Sequence, residues 1–170
     1  MEFLNPEEII ERLDLKPDMF VADLGSGSGK FSIPLAKKMK DGMVWALDIQ
    51  KEPLAFLKGR TIKEKIHNIN IIRCDIEQPK GTRLSGSFLD FALAVDIMFY
   101  AKDIGAIISE ANRILKKKGS FFVSDRFPKE DSAAGTPPLK IIKAAKDSGF
   151  IFRKEIDLGD HRYGLIFEKN

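Results

Sequence analysis

Apolar residues cluster along the chain in two alternating rhythms. Short, nearly continuous runs occur at residues 19–24, 43–48, 69–74, 88–95 and 120–124. Runs of this kind suit strands of a parallel sheet covered on both faces. Between them, apolar positions recur at helical spacing. Asn5-Pro6-Glu7-Glu8 opens a first helix, with Asn as cap, Pro at the first position and acids in the first turn. Further helices are expected over residues 30–40, 53–65, 103–118 and 139–148. Ile104, Ile107, Ile108, Ala111, Ile114 and Leu115 give the fourth of these five helices an apolar stripe, and Gly119 is expected to close it. Residues 150–158 and 163–169 read as two strands joined by Gly159-Asp160-His161-Arg162, a β-hairpin. Strand–helix alternation predicts an α/β fold. The sheet is doubly wound and seven-stranded, mostly parallel, with one antiparallel strand from the C-terminal hairpin.

The chemistry enters at the first strand. Val21-Ala22-Asp23-Leu24 runs directly into Gly25-Ser26-Gly27-Ser28-Gly29-Lys30. Three glycines in five positions let the backbone approach a ligand closely, because glycine lacks a Cβ and accepts positive φ. A following helix start aims its N–H groups at the same place. The dinucleotide fingerprint G-x-G-x-x-G places its third glycine one position later than Gly29. The early glycine and the acid at Asp23 argue against an NAD-dependent oxidoreductase. Two more strands run into acids, Asp48 and Asp75. Ligands of open parallel sheets bind beyond the carboxyl ends of the strands, where strand order reverses. Asp48 lies at the spacing expected of a ribose-binding carboxylate, able to accept from both hydroxyls.

Composition narrows the class. The 170 residues suggest one domain spanning 1–170. Hydrophobic residues make up 44% and charged ones 31%, the balance of a globular chain. No apolar run approaches a membrane span, and the first residues lack a signal-peptide pattern, so the cytoplasm is the expected compartment. A single cysteine, Cys74, excludes an internal disulfide and a multi-cysteine zinc site, and no metal is assigned. Cys74 itself is expected to be a buried strand residue. Net charge is only +3, and the one tight basic run, Lys116-Lys117-Lys118, is expected to end the helix over 103–118, where cations complement the dipole. Nucleic acid is not indicated.

The motifs together resemble the class I S-adenosylmethionine (SAM)-dependent methyltransferases. The run D-L-G-S-G-S-G is similar to that family's first motif, whose turn holds the methionine part of the cofactor with the acid beneath it. Ala46-Leu47-Asp48-Ile49 resembles the second motif, where the acid binds ribose and the apolar neighbour lies against adenine. Arg73-Cys74-Asp75-Ile76 resembles the third, where the acid takes the adenine amino group. Phe88 to Leu93 resembles the fourth strand, and Arg113 to Phe121 the turn before the fifth, with lysine replacing a glycine. The resemblance implies SAM as cofactor and the strand order 3-2-1-4-5-7-6. It assigns cofactor contacts to Asp23, Gly25, Ser26, Gly27, Gly29, Asp48, Ile49, Asp75 and Ile76. More narrowly the chain looks like small stand-alone members of the ubiquinone/menaquinone-biosynthesis (methyltransferase type 11) group.

The acceptor side is thinner. The [DN]-P-P-[YF] motif of amide-type N-methyltransferases is absent after the fourth strand, where Asp96-Ile97-Met98-Phe99-Tyr100 stands. That disfavours DNA-adenine and glutamine acceptors. Relatives of the quinone type place a histidine near Phe99, which this chain lacks. Tyr100 reads as a wall. His161, with Tyr163 and Asp125, is expected to line the acceptor site, and the segment 127–138 to act as a lid. The expected activity is methyl transfer from SAM to a small-molecule acceptor. The second reading is a SAM-binding partner subunit or sensor without catalysis. A shallow acceptor site completed by another copy of the chain, and so a homo-oligomer, is also open.

Overall fold

A computed structural model describes residues 5–128 and 135–170. Among the described residues, five α-helices and seven strands follow the expected order: α1 Pro6–Glu11, β1 Phe20–Leu24, α2 Ser32–Lys38, β2 Met43–Asp48, α3 Lys51–Lys63, β3 Ile69–Arg73, β4 Leu89–Val95, α4 Ile104–Ile114, β5 Leu115–Arg126, α5 Pro138–Asp147, β6 Phe150–Asp157 and β7 Arg162–Lys169. The segment expected as a lid falls in part on residues 129–134, outside the described residues. The same holds for the first four residues, on which the signal-peptide reading partly rests.

The strands form one sheet in the order β3-β2-β1-β4-β5-β7-β6. β3, β2, β1, β4 and β5 run parallel, and β7 enters antiparallel between β5 and β6. Alternate residues feed the two faces. Val21, Val44, Phe91, Leu93 and Phe122 pack under α1 and α2, while Ala22, Leu24, Trp45, Phe121 and Leu165 pack against α4 and α5. Leu57 of α3 joins Ile33 and Ala46 on the first face. Strand order reverses between β1 and β4, so the loops after these two strands diverge and leave a crevice.

The fourth helix is shorter than the expected 103–118. α4 stops at Ile114, and Lys116, Lys117 and Lys118 belong to β5 rather than to the end of a helix. Leu115 is already extended, at φ −75° and ψ 143°, and pairs with Leu89 of β4. Ion pairs then outweigh helix continuation. Lys116 Nζ lies 2.7 Å from Asp90 Oδ1, and Lys118 Nζ lies 3.1 Å from Glu168 Oε1. Asp90 is also bound at its other oxygen, which accepts the Phe20 N–H at 2.8 Å and fixes the start of β1.

Candidate functional site

The glycine turn is shaped by β2 as much as by its own sequence. The Leu47 carbonyl accepts from both the Gly25 and the Ser26 N–H, at 2.8 and 3.0 Å. Asp48, the last residue of β2, then clamps two segments at once. Its Oδ2 accepts the Gly27 N–H and its Oδ1 accepts the Gln50 N–H, each at 2.8 Å. Each carboxylate oxygen keeps a further lone pair for a ligand. Gly25 sits at φ +77°, and a Cβ there would run into the Ile97 side chain from the loop after β4. Gly25→Ala is therefore expected to lower cofactor affinity at least tenfold, since the left-handed conformation alone costs about 1–2 kcal/mol for a side chain. The paired change Gly25→Ala/Ile97→Ala should recover part of that loss in calorimetric titrations.

Asp23 lies below the turn, buried, with the Ser32 hydroxyl donating to its Oδ2 at 2.6 Å. Burial pushes its carboxyl up to about 6; the Ser32 hydrogen bond works the other way, and the nearby Asp48 charge adds to the rise. Asp75 stands two residues beyond β3. Its Oδ1 accepts the Glu77 N–H at 3.0 Å and its Oδ2 the Gln78 side-chain amide at 3.3 Å. Cys74 is buried, as its place in the sequence predicts, and burial raises its thiol to about 11, so it stays protonated and unreactive at neutral pH.

These residues converge. A cleft of about 200 Å³ is lined by Gly25, Asp48, Ile49, Asp75, Ile76 and Ile97, with Tyr100 at its rim. Ile49 is 55% exposed within it. Of the nine sequence-assigned cofactor residues, Gly25, Asp48, Ile49, Asp75 and Ile76 line this cleft. Gly27 hydrogen-bonds to Asp48 at its edge, and Asp23 lies beneath. Gly29 faces away, against Leu57 of α3, so it serves the turn rather than the cleft.

The site fits an adenosine-bearing cofactor on three observations. The space in front of Gly27 is empty to 4 Å. The buried Ser26 hydroxyl has no hydrogen-bond partner among the described residues. A carboxylate able to accept from hydroxyl groups, Asp48, and two isoleucines, Ile49 and Ile76, line the same cleft.

A second cleft, of about 110 Å³, opens beyond β4 and β5 between Asp96, Phe99, Tyr100, Asp125, Arg126 and Gly135. Tyr100 lines both clefts. Asp125 is 2% exposed. Its Oδ1 accepts the Arg126 N–H at 2.7 Å. Its Oδ2 completes no hydrogen bond of ordinary geometry among the described residues, although Thr136 and the Phe99 N–H lie near enough to favour its charged form. Burial dominates and holds its carboxyl above the usual range, helped by the Asp96 charge. Asp96, at φ +56°, is paired with Arg162 of β7.

The three sequence-assigned acceptor residues part company here. Asp125 lines the cleft. Tyr163 is fully buried, its hydroxyl donating to the Thr136 carbonyl, and burial with the Asp125 and Glu155 charges raises its phenol well above the ordinary value. His161 is exposed on the β6–β7 turn at φ +57° and is not among the lining residues. The structure therefore does not bring His161 or the Tyr163 hydroxyl to the cleft. The Asp96–Arg162 pair is a feature that sequence reading missed, because it joins residues 66 apart.

Fold and clefts together define the class I methyltransferase architecture. A SAM-dependent methyltransferase of Aquifex aeolicus superposes with a TM-score of 0.85 at 20% identity, covering 98% of this chain and 90% of that one. The methyltransferase-domain family matches residues 15–148, and the chain belongs to it. Its cofactor class is S-adenosylmethionine. Among curated relatives, the ribosomal protein L11 methyltransferase of Desulfitobacterium hafniense is 28% identical over 142 residues, 81% of this chain and 42% of that protein. The (S)-coclaurine N-methyltransferase of Thalictrum flavum subsp. glaucum is 25% identical over 113 residues, 66% of this chain and 30% of that protein. The chain thus spans less than half the length of these relatives. Among the described residues, no helix is long and apolar enough to cross a membrane.

Proposed function

We propose that this chain binds SAM over the carboxyl ends of β1, β2 and β3 and directs its methyl group to a small acceptor held beyond β4 and β5. The observation that carries this reading is the Asp48 clamp, a carboxylate that holds both the glycine turn and the start of α3 while facing the cleft. When bound, the cofactor supplies a methyl carbon on a sulfonium, open to in-line displacement. The chain's own residues then position and shield.

In this reading Asp48 takes the ribose hydroxyls, and Ile49 and Ile76 flank the adenine. Asp75 serves the ring edge. The Gly25–Gly29 turn and Ser26 hold the amino-acid end, with Asp23 charged beneath it. Ile97 and Tyr100 exclude water between the clefts. Asp125 faces the acceptor and is the residue placed to take a proton from it. Tyr163 is a positioning residue, fixing Thr136 beside Asp125 through its hydroxyl.

Calorimetric titration with SAM, S-adenosylhomocysteine and NADH tests the reading. Micromolar binding of the first two and none of NADH is the expected outcome. Failure of both adenosyl compounds to bind would remove the cofactor assignment.

A further inference from the structure

The second cleft carries information about what is methylated. Its floor is Asp125, a buried carboxyl whose Oδ2 completes no hydrogen bond of ordinary geometry among the described residues, with Thr136 and the Phe99 N–H nearby. Buried polar atoms are seldom left so, because an unmet acceptor loses its hydration for nothing. Asp96 adds a second carboxylate at the rim, and Arg162 occupies one of its oxygens. The aromatic wall is the Phe99–Tyr100 pair, with ring centroids 5.0 Å apart in an edge-on arrangement. Aromatic faces beside carboxylates form the surroundings in which an ammonium group is favoured over an anion. Arg126 also lines the cleft, but it is exposed, where its charge is screened. Asp125 feels the Asp96 charge as a repulsion that a cation between them would relieve. The cleft's volume is about 110 Å³. It takes a small amine or the amino end of a larger molecule.

We propose that this cleft binds the amino group of a primary or secondary amine, and that Asp125 is the catalytic residue that takes its proton. The proposal rests on the methyltransferase reading above. An ammonium donates to Asp125 Oδ2 and gives up one proton to it. The nitrogen lone pair then forms the bond to the methyl carbon as the carbon–sulfur bond breaks, the electron pair staying on sulfur. Asp125 later releases the proton to water. Charge balances: one cationic centre is lost at sulfur, one persists at the methylated nitrogen, and one proton leaves.

The test is direct binding, followed by NMR, of benzylamine, n-propylamine, phenol and benzoate to the purified chain, with and without S-adenosylhomocysteine. The amines should bind at least tenfold tighter than phenol or benzoate. Asp125→Asn should lose at least tenfold of the amine affinity while keeping its affinity for S-adenosylhomocysteine within about twofold. Methyl transfer from labelled SAM to benzylamine should fall in parallel. Should Asp125→Asn fail to fold, Tyr100→Ala replaces it, since that side chain is 79% exposed and its removal should still weaken amine binding several-fold. S-adenosylhomocysteine binding without any preference for amines overturns the amine assignment and leaves the cofactor reading standing. Asp125-dependent amine binding without S-adenosylhomocysteine binding does the reverse. Phenol methylation in the absence of amine methylation also overturns the amine assignment.

Discussion

Asp48→Ala is expected to lose about a hundredfold in SAM affinity and to unfold more easily than the parent chain. The two effects share one cause. Asp48 holds the Gly27 and Gln50 N–H groups, so its removal loosens the turn and the start of α3 together. Hydrogen bonds to a charged group are each worth about 1.5–3 kcal/mol. Losing even one toward the ligand costs about ten- to hundredfold in affinity, and the loosened turn adds to it. Asp48→Asn sharpens the comparison. It retains one accepting oxygen, so one of the two N–H partners survives and the stability loss should be about half. Calorimetry with SAM and urea unfolding of the three proteins measure both quantities. Affinity unchanged in Asp48→Ala would place the ribose elsewhere.

Asp23→Asn is expected to do the opposite to stability. An acid whose carboxyl is raised on folding binds its proton more tightly folded than unfolded. Stability therefore falls as pH rises from about 4 to about 6, and is level on either side of that window. The rise from 3.8 to about 6 corresponds to about 3 kcal/mol at 1.36 kcal/mol per unit. Asn keeps an oxygen for the Ser32 hydroxyl and carries no charge. The variant should then be up to about 3 kcal/mol more stable than the parent at pH 8, with the two converging near pH 4. SAM affinity should fall, because a cation on the turn no longer has a carboxylate beneath it. Urea unfolding between pH 4 and 8 would disprove the account if the variant were the less stable protein at pH 8. A stable variant with poor cofactor binding is the usual signature of a strained functional site.

Much of this was legible in the chain, for identifiable reasons. The apolar runs 19–24 and 43–48 mark the ends of β1 at Leu24 and β2 at Asp48, because a buried parallel strand reads as a nearly continuous apolar run. Glycine spacing marks the turn, because the backbone there needs positive φ, which Gly25, Gly27 and Gly29 all adopt. Contacts between distant segments leave no such trace. The end of α4 depends on Asp90 and Glu168, which recruit Lys116 and Lys118 into β5. Glu110 reads as the polar side of an amphipathic helix, yet it is buried. Its Oε1 accepts from the Thr82 N–H and hydroxyl, and Arg113 binds both its oxygens. The turn carrying His161 emerges at the same sheet edge as the clefts; whether its ring reaches a cleft depends on a hairpin turn at positive φ.

The position of β7 has a consequence for how the molecule is made. Arg162–Lys169 comes last of the strands in the chain, yet it lies between β5 and β6. On the ribosome, β1 to β5 can pair as they emerge, since each finds a neighbour already synthesised. β6 has no partner of its own until β7 arrives to bridge it to β5. Half of the Asp96–Arg162 pair and the Tyr163 hydroxyl that fixes Thr136 arrive on that same strand. The second cleft therefore acquires its shape only once β7 has emerged. A nascent chain cut off before Arg162 would carry the glycine turn and the Asp48 clamp without a finished second cleft.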